Sequence, residues 1–228
     1  MSSRYRTGAF HDAYGWGEEQ AGPWKASVVL DFMAANHIEP RRACEIGCGT
    51  GAVIRRLAEA MPDTSFTGFD IAPVINANEE RPNLSFELRD IVTEPLNEMF
   101  DLALLLDVIE HVENPWELLR SVRRSASTAI FHIPLELSAQ SMLRPRALRL
   151  SRETQGHLHF FTRESAFWLL SETGFEVVAA TYTPSWRWAA KRRLRSAVAF
   201  PLRLALTAMS EEFAARAVGG MPLLVLCR

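Results

Sequence analysis

Three alternating glycines between a strand pattern and a helix pattern constrain the fold of this chain more than any other feature. Gly47, Gly49 and Gly51 follow the apolar segment 42–46 and precede a helical pattern over 53–61. Glycine allows the backbone to turn sharply and to approach a ligand where a Cβ atom would collide. In doubly wound sheets, ligands bind at such turns, at the carboxyl ends of the strands. The run therefore predicts a ligand-binding loop in an α/β protein.

The rest of the chain continues the alternation of strand and helix patterns. The apolar run FDLALLL at 100–106 is typical of a parallel strand that is covered on both faces. Pro115 begins one helical pattern, and Thr162 is a suitable N-cap for another that ends before Gly174. Alternating elements predict a parallel sheet with right-handed crossovers. The predicted strands cover residues 42–46, 65–69, 84–88, 100–106, 128–133, 175–181 and 221–226.

We expect the 228 residues to form a single domain, because this length suits one α/β core with a few additions. Three segments lie outside the regular alternation. Residues 1–37 are predicted to contain an irregular arm as far as Gly22 and then a helix, which together would form a lid. Residues 138–160 form an insertion after the fifth strand, and residues 185–220 form a helical, basic insertion before the last strand.

Composition argues against several classes of protein. The formal net charge of −2 gives no reason to expect a nucleic-acid partner, because such domains usually carry a basic excess. Three cysteines without a CxxC pair indicate reduced thiols in a cytoplasmic protein. The N-terminus has no signal-peptide pattern, and no segment reaches the ~18 apolar residues of a membrane span. We therefore expect a cytoplasmic protein without a nucleic-acid partner.

The glycine run is compatible with two kinds of ligand. Gly47, Gly49 and Ala52 also fit the G-x-G-x-x-G/A pattern of dinucleotide sites, and Asp70 follows about twenty residues later. Glu45 disfavours a pyrophosphate, because its charge is negative where the loop should attract phosphate. A zwitterionic ligand with a sulfonium and an ammonium group tolerates this carboxylate better. An NAD(P)-dependent oxidoreductase remains the alternative, although the sequence contains no Tyr-x-x-x-Lys pair.

With its acidic residue included, segment 45–51 resembles the E/D-x-G-x-G-x-G motif of the class I S-adenosylmethionine-dependent methyltransferases. Segment 107–112 (DVIEHV) resembles that family's signature after the fourth strand. Segment 156–162 (GHLHFFT) resembles a stretch before the last helix of its small-molecule branch. The resemblance implies a Rossmann-like, doubly wound, mostly parallel seven-stranded sheet with the last strand antiparallel and two insertions.

The same resemblance implies S-adenosylmethionine as the cofactor and assigns residues to it. Asp70 lies where the family's acidic residue binds the ribose hydroxyls, and Asp90 with Ile91 lies where the adenine is held. An ionised carboxylate suits a ribose because it accepts hydrogen bonds from both vicinal hydroxyls. The implied cofactor-binding residues are Glu45, Gly47, Cys48, Gly49, Gly51, Asp70, Ile71, Asp90, Ile91 and Asp107.

The resemblance also implies a reaction, the transfer of a methyl group to a small-molecule acceptor, and we expect oxygen as the accepting atom. An oxygen nucleophile must lose a proton, so His111 and His157 are the candidate catalytic residues, with His132 as a lesser alternative base. No metal site is expected, because His157 and His159 have no obvious third ligand nearby. Methylation of a lipid-linked or macromolecular substrate is a further alternative.

The insertion 185–220 combines aromatic, basic and apolar residues. Trp186 and Trp188 precede the basic run 191–195, and an apolar stretch continues as far as 209. This pattern is typical of a helix at an anionic membrane surface, so weak lipid contact through 185–209 is one expectation. A cap over the substrate cleft or a homodimer contact is the other, because Pro201 interrupts the apolar stretch.

Overall fold

A seven-stranded sheet forms the centre of the computed structural model, which describes residues 9–73, 81–144, 146–184 and 194–228. The strands are β1 Arg42–Ile46, β2 Ser65–Asp70, β3 Leu84–Leu88, β4 Phe100–Leu106, β5 Ala126–Ile133, β6 Val177–Tyr182 and β7 Leu223–Cys227. Neighbouring strands follow the order β3-β2-β1-β4-β5-β7-β6. The first five strands are parallel to one another, and β7 is antiparallel to both β5 and β6.

This topology confirms the predicted Rossmann-like sheet with an antiparallel last strand. β1 and β4 are neighbours although they are not consecutive, and Cys44 on β1 lies opposite Ala103 on β4 and Thr67 on β2. Such a switch in strand order opens a crevice at the carboxyl ends of the strands. The predicted strands 42–46, 84–88 and 100–106 match the observed ones, and the others differ by one or two residues at one or both ends.

Helices and helical turns connect the strands. They are α1 Ala9–Ala35, α2 Ile54–Ala60, α3 Pro115–Ser125, α4 Ala139–Leu143, α5 Arg146–Leu150, α6 Arg163–Glu172, α7 Leu194–Met209 and α8 Glu211–Val218. The predicted N-cap of α6 is confirmed, since the Thr162 hydroxyl accepts a hydrogen bond from the Ser165 N–H at 3.2 Å. Gly174 follows α6 with a φ of +90°, a left-handed conformation that glycine adopts readily.

The N-terminal helix is longer than the sequence pattern indicates. We predicted an irregular arm as far as Gly22, but α1 begins at Ala9 and continues through Pro23; residues 1–8 lie outside the described part. Proline removes one hydrogen bond from a helix interior, and the aperiodic glycines and aromatics before it gave no helical signal. The second half of α1 packs closely against the core, because Val29 and Met33 are each 2% exposed.

The apolar core lies on both faces of the sheet. Along β4, Ala103 and Leu105 pack into one cluster, whereas Leu102, Leu104 and Leu106 pack into another. Because successive side chains of a strand point to opposite faces, this division shows that β4 is covered on both sides. The prediction of a central buried strand from its apolar run is therefore confirmed, and each fully buried leucine stabilises the fold by roughly 1.5–3 kcal/mol.

Both predicted insertions contain helices. Segment 138–160 holds α4, α5 and a π-helical turn over Ser151–Gln155. Within 185–220, α7 and α8 confirm the helical prediction, while Trp186, Trp188 and the basic residues 191–193 lie outside the described residues. Among the described helices, none has the length and apolarity that crossing a membrane requires. Lipid contact through 185–209 and a homodimer both stay predictions.

Candidate active site

The glycine loop follows β1 and depends on glycine for two reasons. Gly47, Gly49 and Gly51 have φ angles of +73°, +53° and +81°, which L side chains rarely adopt. A Cβ atom on Gly47 would lie 2.8 Å from Val108 Cγ2, and one on Gly51 would lie 2.8 Å from Phe86 Cζ. The loop is thus held tightly between β3 and the turn that follows β4, as a close-fitting ligand cradle requires.

Asp70 at the end of β2 supports this loop directly. Its Oδ2 accepts a hydrogen bond from the Gly49 N–H at 2.7 Å, and its Oδ1 accepts one from the Ala72 N–H at 2.8 Å. A carboxylate has about four acceptor positions, so a side chain of this kind can bind backbone N–H groups and ribose hydroxyls at the same time. Its structural role is shown by these bonds, and its predicted contact with the ribose is compatible with them.

Glu45 and Cys48 lie beneath the loop. Glu45 is 3% exposed in the middle of β1, where it pairs with Gly68 on β2 and Leu104 on β4. Burial, and after it the negative charges of Glu45 and Asp70, raise the pKa of the Cys48 thiol well above its usual value. A buried neutral thiol of this kind packs as a small apolar group and is no nucleophile.

Residues 70–71 and 90–91 lie at the same carboxyl edge of the sheet, after β2 and β3. The Asp90 side chain accepts a hydrogen bond from the Val92 N–H at 3.1 Å. Ile91 is 3% exposed and packs in the core, and its carbonyl accepts a hydrogen bond from the Ser121 hydroxyl at 2.7 Å. Ile71 is half-buried. These positions suit the predicted cofactor edge, with Ile91 contributing backbone atoms only.

Asp107 follows β4 with a left-handed φ of +60° and carries two charged partners. Its Oδ2 lies 2.6 Å from Lys25 Nζ on α1, and its Oδ1 lies 2.5 Å from His132 Nδ1 on β5. His132 Nε2 lies 2.8 Å from the Thr183 hydroxyl, which itself donates to the Pro222 carbonyl. Both ring nitrogens of His132 are therefore engaged, one by the Asp107 carboxylate and the other by the Thr183 hydroxyl.

This network changes the assignment of two predicted residues. Burial opposes the ionisation of Asp107, but the charges of His132 and Lys25 outweigh it and hold the pKa of Asp107 well below its usual value. His132, our lesser alternative base, has both ring nitrogens engaged in this network, by Asp107 and by Thr183. The sequence gave no sign of Lys25, since nothing in its spacing pairs it with a residue more than eighty positions later.

A second polar cluster combines the two predicted catalytic histidines. The rings of His111 and His157 meet edge to face with centroids 4.7 Å apart. His111 ends a 3₁₀ turn over Ile109–His111, and its Nε2 lies 3.7 Å from Oε1 of Glu110. His157 Nδ1 donates to Oε2 of Glu136 at 2.6 Å. The structure therefore unites Glu110, His111, His157 and Glu136, although the two carboxylates carried no signal in the sequence.

Burial determines the protonation of this cluster. Burial, and after it the charge of His157, lower the pKa of His111 to about 3, so the His111 ring is neutral at physiological pH. Burial and the charge of Asp107 raise the pKa of Glu110 well above its usual value. Among the described residues, neither carboxyl oxygen of Glu110 has a hydrogen-bond partner.

Backbone hydrogen bonds hold this cluster together. The N–H groups of Leu158 and His159 both donate to the Glu110 carbonyl, at 2.7 and 3.1 Å. His159 Nε2 donates to the Val112 carbonyl at 2.8 Å. The segment after the π-helical turn is thus fixed against the turn after β4, which places His157 beside His111. His159, which lies outside the cluster, pins the two segments together.

Comparison with known proteins identifies the family. Residues 20–180 match the sequence model of a family described as a methyltransferase domain. The chain is 28% identical over 171 residues to a ubiquinone biosynthesis O-methyltransferase of Ruegeria pomeroyi, covering 67% of this chain and 68% of the relative. It is 26% identical over 189 residues to a malonyl-[acyl-carrier protein] O-methyltransferase of Geobacter sulfurreducens, covering 76% and 68%.

Solved structures agree in fold. The N-methyltransferase NodS from Bradyrhizobium japonicum, in complex with S-adenosyl-L-homocysteine, superposes with a TM-score of 0.58 at 16% identity, covering 90% of this chain and 86% of that chain. A magnesium protoporphyrin IX methyltransferase from Synechocystis with bound S-adenosylhomocysteine gives 0.58 at 14% identity, covering 90% and 81%.

The residues of the loop fit the cofactor of this family. Gly47 and Gly51 keep Cβ atoms out of the turn after β1, and Asp70 and Asp90 put carboxylates at the neighbouring strand ends. These groups suit the ribose and adenine of S-adenosylmethionine, which supplies a methyl group on a positively charged sulfur. The oxidoreductase alternative is set aside by the family match. The chain belongs to the methyltransferase-domain family and is an S-adenosylmethionine-dependent methyltransferase.

Proposed function

We propose that this enzyme methylates an oxygen atom of a small-molecule acceptor, and that the acceptor lies against His111 and His157. The observation that carries the proposal is the position of this histidine pair. Val108 contacts the glycine loop at Gly47, and Glu110 and His111 follow it within the same turn. A group beside the histidines is therefore close to the end of the sheet where the cofactor binds.

The chemistry of oxygen methylation suits such a site. The acceptor oxygen attacks the methyl carbon, the electron pair of the carbon–sulfur bond remains on sulfur, and the hydroxyl proton must leave. S-adenosylmethionine has a good neutral leaving group, so the protein contributes mainly alignment and proton removal. A neutral histidine offers a lone pair for that proton. His157 is oriented for the task, because the Glu136 carboxylate holds its Nδ1 at 2.6 Å and leaves its Nε2 to contact the acceptor.

Two further observations support an oxygen on a small acceptor. His157 is 6% exposed, so only a slim group reaches it from solvent. The relatives in Ruegeria and Geobacter are both named as O-methyltransferases, although of different acceptors. A lipid-linked or macromolecular substrate would have to present its hydroxyl or carboxyl group on a narrow extension.

A screen with labelled S-adenosylmethionine tests the proposal. The purified enzyme is incubated with separate panels of phenols and catechols, carboxylic acids, and amines, and products are identified by mass spectrometry. We expect products that gain one methyl group on oxygen, and none with Gly49→Val, which should lose the cofactor because its φ of +53° disfavours a β-branched side chain. Methylation confined to the amine panel would overturn the assignment to oxygen.

A further inference from the structure

Glu110, His111 and His157 together have the composition of a metal site. Each offers one ligand atom, and these atoms all lie within 4.8 Å of one another. We propose that these three side chains bind a divalent transition-metal ion on the acceptor side of the active site. The inference deepens the proposed function, on which it rests for the identity of the acceptor atom. Of the two histidines that the sequence offered as ligands only His157 belongs to this cluster, and the other two ligands come from the turn after β4.

The carboxyl group of Glu110 is the strongest argument. It is 1% exposed, and among the described residues neither of its oxygens has a hydrogen-bond partner. Burying a polar group without a partner costs roughly 1–3 kcal/mol, and more for a charged one. A cation coordinated by this carboxylate would satisfy it, and its neighbours in the cluster are two imidazole rings.

His157 has the supporting contact that metal-bound histidines usually have. Its Nδ1–H donates to Glu136 Oε2 at 2.6 Å, so its Nε2 is the atom that would bind the ion. Glu136 is held in turn by a hydrogen bond from the Ser151 hydroxyl in the π-helical turn. A carboxylate behind a histidine fixes the tautomer and the ring orientation and strengthens the histidine as a ligand. Glu136 is thus a positioning residue.

The ligand set selects a class of metal. Magnesium and calcium prefer sites built from oxygen ligands, whereas two imidazoles and one carboxylate suit zinc, cobalt, manganese or ferrous iron. Nitrogen and oxygen ligands lie 2.0–2.2 Å from zinc, which puts them about 3.4 Å apart around a tetrahedral ion. The atoms of this cluster are within 4.8 Å of one another, so the side chains would have to move the ligand atoms closer by about 1 Å to bind the ion.

A cation here would act on the acceptor oxygen. Three protein ligands leave coordination positions open, as in catalytic sites. A hydroxyl that coordinates to the ion becomes more acidic and loses its proton to solvent, while the oxygen stays fixed for attack on the methyl group. The histidine lone pairs are then occupied by the metal, so the ion replaces direct proton uptake by His157.

Cobalt titration of the untagged full-length protein tests the site without any acceptor. After treatment with EDTA and dialysis, CoCl₂ is added, and binding is followed by visible d–d absorption and by elemental analysis. We expect one Co²⁺ per chain, with affinity at least ten-fold lower in Glu110→Gln and in His157→Gln. Glu136→Gln should weaken binding by 10–100-fold, as the loss of a supporting carboxylate does.

His37→Gln is the control, because His37 is exposed, follows α1 and lies outside the cluster. It should bind cobalt like the unmodified protein, and circular dichroism verifies that all variants fold. The proposal is overturned if no stoichiometric d–d band appears, or if Glu110→Gln binds with unchanged affinity. Cobalt binding without any oxygen-methylated product would sustain the metal site while refuting the proposed acceptor atom; oxygen methylation without cobalt binding would do the reverse.

Discussion

Lys25 on the N-terminal helix and Asp107 after β4 form an ion pair, with Nζ 2.6 Å from Oδ2, that ties α1 to the crevice end of the sheet. Both side chains are partly buried, at 20% and 27% exposure. Removing Lys25 would leave Asp107 with His132 as its remaining charged partner among the described ion pairs.

Lys25→Met should therefore lower the free energy of unfolding by about 1–3 kcal/mol, between the values typical of surface and of buried pairs. Urea denaturation measures the change. Arg216→Met is the control, because Arg216 is 62% exposed in its pairs with Glu164 and Glu212 and should cost less than about 1 kcal/mol. Equal losses in the two variants would contradict the partly buried character of the Lys25 pair.

Asp107 should also contribute a pH-dependent part of the stability. Lys25 and His132 outweigh burial and hold its pKa below the usual value, and Glu110 is the acidic neighbour that acts against them. Below a pH of about 3.9 the unfolded state binds this proton while the folded state does not, so stability falls as the pH decreases. The difference in unfolding free energy between the unmodified protein and Asp107→Asn should be full above about pH 5 and shrink at lower pH. A constant difference would contradict the shift.

Gly47→Ala should abolish cofactor binding. The substitution places a Cβ atom 2.8 Å from Val108 Cγ2 on a backbone with a φ of +73°. Gly174→Ala is a matched control, because its φ is +90° but its Cβ would meet only Arg123 Cγ, at 3.9 Å. Both variants should lose stability from backbone strain, by about 1–2 kcal/mol, while only Gly47→Ala should lose S-adenosylmethionine binding in calorimetry.

Asp70→Ala should weaken S-adenosylmethionine binding by roughly 10–100-fold, because it removes the hydrogen bonds that hold Gly49 and Ala72 together with the predicted ribose contact. Asp101→Ala is the control. Its carboxylate likewise accepts from two backbone N–H groups, those of Arg41 and Arg42, but at the amino end of the sheet. Calorimetry should show unchanged affinity for Asp101→Ala. Comparable weakening in both would mean that Asp70 acts through stability alone.

His111→Ala should reduce the rate of methyl transfer by about 10²-fold or more and leave the affinity for S-adenosylmethionine nearly unchanged. The reason is that His111 lies against His157, on the proposed acceptor side, and not in the glycine loop. Single-turnover kinetics and calorimetry separate the two effects. The exposed His37, after α1, supplies the control His37→Asn, which should alter neither quantity. Parallel losses of rate and affinity in His111→Ala would assign His111 to loop structure instead.

Local patterns predicted the sheet well, because each strand carries its own signal. The run from Phe100 to Leu106 has the unbroken apolar character of a strand covered on two faces, and the glycines at 47, 49 and 51 require their left-handed backbone whatever surrounds them. Thr162 likewise caps α6 through atoms three residues away. A structural element can be predicted from the sequence when the residues that determine it lie close together in the chain.

The contacts between residues that are far apart in the chain could not be predicted from the sequence. Glu136 reaches His157 from 21 positions earlier, and Lys25 reaches Asp107 across the sheet. Such pairs depend on how connections fold over the strand ends, which no local period reveals. The start of α1 at Ala9 was missed for the opposite reason. Pro23 is a strong local signal against the interior of a helix, but α1 continues through it.

The turn after β4 has a mechanical consequence for the reaction. Val108 contacts Gly47 in the cofactor loop, and two residues later the Glu110 carbonyl binds the N–H groups of Leu158 and His159. One short turn would thus set the position of the methyl donor on one side and of the proposed acceptor on the other. If the turn after β4 moves, the methyl donor and the proposed acceptor move with it. The distance between the sulfonium and the nucleophile should therefore stay constant even when the surrounding helices shift.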